Sequence, residues 1–211
     1  MTKVAHFEEK TKSQTRQSDE GFLKKSFIFA FLSFFLKPTS IISQVKMTQI
    51  RQATRADIPQ LLRVYDAAQD YMISSGNSTQ WGKEYPTMEQ VESDIQAGVS
   101  HVVMQDGEIV GAFCAICGID PTYAIIEEGT WVNDELPYTT LHRIASDGRL
   151  QGIFHLVLTW CEKRWSNLRA DTHQNNRTMI HLLEKHGFQR CGVIYVRNHS
   201  PRIAYQRIGN L

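Results

Sequence analysis

The chain has 211 residues, 42% of them hydrophobic and 21% charged, with four cysteines and a formal net charge of +1. That is enough apolar material for one well-filled core, and the cysteines are too few and too scattered for a disulfide framework. The charge is unevenly divided: residues 1–46 carry eight Lys/Arg against four Asp/Glu, and residues 47–211 carry fifteen against eighteen. The main body is therefore mildly acidic and lacks the basic surface that nucleic-acid binding needs.

Residues 1–46 read differently from the rest. The first twenty are polar and lack apolar periodicity, the composition of a disordered segment. Within residues 22–37 lies an apolar run, Phe27 to Leu36, flanked by Lys24, Lys25 and Lys37. It is about ten residues long against the roughly 20 that span a bilayer, so no stable membrane insertion is expected, and no small-residue cleavage site follows it. It is either an interfacial, membrane-touching segment or translated sequence upstream of a natural start at Met47. The second reading is preferred, because the pattern of an ordinary domain begins at Met47 and is expected to occupy residues 47–211.

From Met47 the elements can be read in order. Residues 48–53 form a strand. Thr54 with Asp57 three positions on marks a helix start, and Ile58, Leu61, Leu62, Tyr65, Ala68 and Met72 share one helical face. Residues 76–86 are a loop containing Gln80, Trp81 and Tyr85, and Thr87 with Gln90 forms a capping box for a short second helix. Two β-rich runs, 99–104 and 109–119, flank the Asp106-Gly107 turn as a hairpin. Cys114 and Cys117 lie in the second run with C-x-x-C spacing. Residues three apart in a strand face opposite ways, and no second pair follows, so both are expected in the core rather than at a metal or redox site.

Residues 120–138 form an irregular acidic and aromatic loop. Its Glu127 and Trp131, with Trp81 and Tyr85, are candidates for binding a cationic amine. A further strand at 139–145 breaks at Asp147-Gly148 and leads through Arg149-Leu-Gln-Gly152-Ile-Phe154 into a helix with Ile153, Leu156, Val157, Trp160 and Cys161 on one face. A strand, tight loop and helix start of this kind can aim backbone N–H groups and the positive helix end at a phosphate. A short strand at 168–172 follows, then a helix capped by Asn175 or Asn176 and stopped by Gly187, and two closing strands at 189–196 and 202–208. The order β-αα-βββ-α-β-α-ββ is an α/β (α+β) mixed sheet flanked by helices, in a single domain.

Over residues 47–208 this pattern resembles the GNAT superfamily of acyl-CoA-dependent N-acetyltransferases. The element order agrees, and Arg149 and Gly152 stand where the family's Q/R-x-x-G-x-G/A pyrophosphate loop has its arginine and glycine. Asn176 stands seven residues before Leu183-Glu-Lys-His-Gly-Phe188, similar to the family's closing Y-E-K-x-G-F. Gln80-Trp81, Tyr85-Pro86 and Asp171-Thr-His173 resemble a bacterial subgroup. Three features depart from the pattern. Phe154 replaces the loop's last small residue, so its ring either crowds the pyrophosphate or turns into the core. The loop after Ala145 is about two residues shorter than is common. Leu183 replaces a tyrosine that in many members protonates the departing thiolate.

The resemblance implies a mostly antiparallel sheet with one splayed parallel pair, residues 141–145 against 168–172. Acetyl-CoA, as co-substrate, would lie across that splay, held by Ile144, Ala145, Arg149, Leu150, Gln151, Gly152, Ile153, Phe154 and Asn176. A small-molecule or peptide amine would attack the thioester directly, with an oxyanion stabilised near Ile144. His142 and His173 are the candidate bases, since histidine titrates near neutrality. No metal is implied, the compartment would be the cytoplasm, and a homodimer is compatible with the family. The alternatives are a non-catalytic acyl-CoA-binding sensor, or a membrane-associated protein acting through residues 22–37.

Overall fold

The computed structural model describes residues 47–209, so the expectations for residues 1–46 lie outside the described residues. Strand β1 (Thr48–Gln52) leads through a 3-10 turn at Arg55–Asp57 into α1 (Ile58–Ser74). The expected start signal is built as a reciprocal pair: Asp57 accepts from the Thr54 amide at 2.7 Å and hydroxyl at 2.9 Å, and is also clasped by both Arg51 Nη atoms at 2.7 and 2.8 Å. Helix α2 (Met88–Gln96) is capped by Thr87, whose hydroxyl accepts from the Gln90 amide. The hairpin is β2 (Ser100–Gln105) with β3 (Glu108–Cys117). Next come β4 (Thr139–Ser146), α3 (Ile153–Glu162), β5 (Asn167–Thr172), α4 (Arg177–Lys185), β6 (Gln189–Tyr195) and β7 (Pro201–Ile208).

The seven strands form one sheet in the order β1-β2-β3-β4-β5-β7-β6. Every neighbouring pair is antiparallel except β4 and β5. That parallel pair is joined for only three residues, Thr139 with Leu168 through Leu141 with Ala170. Beyond it β4 bends, because the β3–β4 register steps by two on β3 (Ala112 to Cys114) and by three on β4 (Ala145 to His142). The extra residue is a β-bulge, and Arg143 there has φ of +51°. Bulges bend and twist the strand that carries them. The backbone of His142 to Ser146 is thereby left without a β5 partner.

Helices α3 and α4 cover one face through Ile153, Phe154, Val157, Leu158, Cys161 and Leu183, packed on Phe113, Leu141, Leu168 and Tyr205. Helix α1 covers the other face through Leu61, Val64 and Tyr65, packed on Val102, Ile109 and Ala112. Tyr123 and Trp131 pack on Cys191, Ile194 and Ala204 in a third cluster, so the loop between β3 and β4 is anchored on β6 and β7. Cys117 corrects the sequence reading. Cys114 is buried, but Cys117 is exposed, because it ends β3 on the face opposite Cys114. Among the described residues no helix is long and apolar enough to cross a membrane, and no cluster of three or more His, Cys, Asp or Glu could hold a metal ion.

Candidate active site

A cleft of about 720 Å³ opens between the end of β4, the start of α3 and helix α4. One end is the loop from Asp147 to Gly152. Gly152, at the N-terminus of α3, has φ of +75°, which turns the chain into the helix. A Cβ built there would meet nothing within 4 Å. The Leu156 amide bonds the Gly152 carbonyl, but among the described residues the N–H groups of Leu150, Gln151, Gly152, Ile153, Phe154 and His155 have no acceptor. Six neighbouring donors at the positive end of a ten-residue helix form a ready anion cradle. The cleft lies within the range of ligand pockets, roughly 300–1,000 Å³.

Of the expected cleft residues, Ile144, Ala145, Leu150, Gln151, Gly152, Ile153, Phe154 and Asn176 line this space. Arg149 does not. Its guanidinium turns to the back of the loop, bonding the Asp147 carboxylate at 2.7 Å and the Ile109 carbonyl at 2.9 Å, while its amide bonds Asp147 Oδ1. The Phe154 ring turns into the core and packs on His186 with centroids 5.1 Å apart. Asn176 caps α4, its Oδ1 accepting from the Met179 amide at 3.0 Å, and its Nδ2 donates to Gln80 Oε1 at 3.0 Å. Gln80 also accepts from Asn77 Nδ2, which pins the loop after α1 beside the end of β5.

The cleft continues into a small pocket of about 80 Å³ between the splayed strands, lined by Gln80, Trp81, His142, Arg143, Ile144, Asp171 and Asn176 among others. His142 stands there between two carboxylates. Its Nε2 is 3.4 Å from Asp120 Oδ2, and its Nδ1 is 3.7 Å from Asp171 Oδ1. Asp120 is held well below the usual carboxylate range, first by the His142 ring, against the opposing effect of burial, and then by the hydroxyl and amide of Thr122. The Tyr123 hydroxyl donates to Asp171 at 2.7 Å, and burial first, then Asp171, pushes that phenol well above its ordinary value. Arg202 lies 3.8 Å from Asp171. Arg143 is committed elsewhere, to Asp94 at 2.8 Å and to the Tyr85 hydroxyl at 2.9 Å.

The other sequence candidates are dispersed. His173 follows β5 and lies outside both spaces, its Nδ1 accepting from the Asn175 amide. Burial first, and then Arg202, lowers its pKa. Trp81 lines the small pocket, and Tyr85 supports it edge-on at 6.2 Å while holding Arg143. Trp131 is core, stacked on Tyr123 at 5.4 Å and on the Arg169 guanidinium at 3.8 Å. Glu127 lies at the β6 edge, where its carboxylate accepts from Tyr195. Sequence reading missed Asp120, Asp171 and Gln80 as site residues. The Gln80-Trp81 pair and the Asp-Thr-His run around Asp171 gave a signal, and Asp120 gave none.

No protein-family model matches the chain, and a search of curated proteins returns no match. Solved structures do match. An acetyltransferase of the GNAT family from Streptococcus agalactiae is 31% identical, with 78% of this chain and 96% of that one covered at a TM-score of 0.72. Two more distant GNAT-family acetyltransferases share the fold. One, from Listeria monocytogenes, is 18% identical, with 77% of this chain and 99% of that one covered at a TM-score of 0.56. The other, from Bacillus cereus, is 15% identical, with 78% and 99% covered at a TM-score of 0.51.

Proposed function

The chain belongs to the GNAT family of acetyltransferases, and from that premise we propose that it transfers an acetyl group from acetyl-CoA to a primary amine by direct attack. The observation that carries this reading is the row of unpartnered N–H groups from Leu150 to His155, at one end of a cleft whose other end is the His142 pocket. A pyrophosphate supplies the acceptors those donors lack. Open space at Gly152 leaves room for it to approach the backbone. Backbone amides, rather than the Arg149 side chain, make the cradle in this reading.

Acetyl-CoA supplies an activated acyl carbon: the amine nitrogen forms the new C–N bond, the C–S bond breaks, and the thiol leaves with a proton. The unpaired β4 backbone near Ile144 faces the splay, where a developing oxyanion needs donors. His142 takes the proton that the acceptor must lose to become a nucleophile. Leu183 is buried and cannot donate a proton. A thiol of pKa about 8.5 is a good leaving group and can take its proton from water.

Acetyl-CoA should raise the melting temperature of the protein, and Gly152→Asp should abolish that rise by setting a carboxylate against the pyrophosphate. Gly152→Ala controls for the cost of φ +75° and should keep most of the shift. An undiminished shift in a folded Gly152→Asp protein would sink the cradle. Release of free CoA over a panel of amines, with mass spectrometry of the products, tests transfer itself. A thermal shift without transfer to any amine would make the chain a sensor rather than an enzyme.

A further inference from the structure

We propose that Asp171 and the Nδ1 atom of His142 together form the subsite for the acceptor's ammonium group, and that Asp120 is the positioning residue that fixes the ring. This rests on the transfer reaction proposed above. Neutral imidazole has one N–H and one lone pair, and the bond made by one nitrogen decides which state the other is in. The two carboxylates are not equivalent. Asp120 lies outside the lining of the pocket and contacts Nε2 at 3.4 Å, with its other acceptor sites filled by the Thr122 amide and hydroxyl. It therefore holds the proton on Nε2, which leaves the Nδ1 lone pair on the pocket side.

Asp171, unlike Asp120, lines the pocket. Its distance of 3.7 Å from Nδ1 is longer than a hydrogen bond. An ammonium nitrogen seated beside the pair, on the pocket side, can donate to both Nδ1 and Asp171. Tyr123 donates to Asp171 Oδ1 from beneath, and Arg202 faces Oδ2 from β7, so the carboxylate is fixed in place. On β3, Cys114 pairs with His142, and Arg143 is neutralised by Asp94, so of the cations around the pocket it is Arg202 that shares Asp171 with the incoming ammonium. One ammonium proton passes to Nδ1, giving an imidazolium flanked by two carboxylates and a neutral amine free to attack the thioester carbon. The second proton leaves with the thiol, and the imidazolium returns its own proton to solvent.

The acceptor class follows: alkylamines that arrive as cations, in preference to amines already neutral at pH 7. The test pairs ethylamine with methoxyamine, which has the same size and is uncharged at neutral pH. Asp171→Asn should lower kcat/KM for ethylamine by about 100-fold and for methoxyamine by less than tenfold. Equal losses on both acceptors would overturn the ammonium subsite. Nitrogen-15 NMR of the full-length protein decides the ring orientation without turnover. An Nε2–H tautomer that is lost in Asp120→Asn supports the assignment, and an Nδ1–H tautomer in the wild type overturns it. Absence of transfer to any amine would count against the proposed reaction, and the tautomer would still be read.

Discussion

Phe154 and Leu183 are the two residues that depart most from the resemblance, and burial accounts for both. Each side chain belongs to the cluster under α3 and α4, so neither projects its bulk toward the phosphate cradle. A more informative single residue for stability is Asp57. It is buried at the start of α1, accepts four hydrogen bonds from Arg51 and Thr54, and is held below the usual carboxylate range, first by the Arg51 side chain. A carboxyl whose folded pKa is depressed contributes its stability above its unfolded value, near 4, and loses it as pH falls toward the folded value. Asp57→Asn should therefore cost about 1–2 kcal/mol at pH 7. In urea titrations at stepwise lower pH, the gap from wild type should narrow only below about pH 4. A gap that is constant down to pH 2 would show that shape, not charge, matters at this cap.

At the scale of elements, the loop between β3 and β4 decides whether His142 has its carboxylate. Asp120 and Tyr123 sit on that loop, and the loop is fastened to β6 at a backbone crossing. Glu127 and Val193 exchange backbone hydrogen bonds of 2.8 Å in each direction, and a Cβ on Gly129 would fall 2.0 Å from the Cys191 carbonyl oxygen. Gly129→Ala must push the loop off β6. It should cost about 1–3 kcal/mol and lower kcat, yet leave the acetyl-CoA thermal shift nearly intact, because the cradle is built from β4 and α3. Equal loss of the two would show that the loop supports the whole sheet rather than the acceptor side. The same loop marks where sequence reading stopped. Element order, the three helix caps and the glycine turn at Gly152 could be read because they depend on neighbours in the chain. Asp120, His142 and Asp171 are joined only by the strand register and the bulge at Arg143, which no local pattern encodes. Trp131 and Glu127 looked suited to an amine because their residue types are, but the crossing at Gly129 carries them to the β6 side.

For the whole molecule, the described residues 47–209 contain buried clusters on both faces of the sheet. At the edge, the Met47 amide donates to Asp106 Oδ1 at 3.1 Å, and the Met47 carbonyl accepts from the Asp106 amide. A chain that begins at Met47 keeps that carbonyl, and its terminal ammonium is a stronger donor to the same carboxylate. We propose that residues 47–211 form the acetyltransferase domain and that residues 1–46 are an extension outside it. The shortened protein should melt within about 2 °C of the full chain, a change of at most about 1 kcal/mol, and should show the same acetyl-CoA shift. Residues 22–37 carry an apolar run between lysines, so co-sedimentation with anionic vesicles separates the two readings of that segment. If it is an interfacial anchor, the full chain pellets and the shortened one does not, with a dependence on salt that the lysines require. If it plays no part, neither pellets. A shortened protein that unfolds or loses the acetyl-CoA shift would place residues 1–46 within the domain and move its boundary toward the N-terminus.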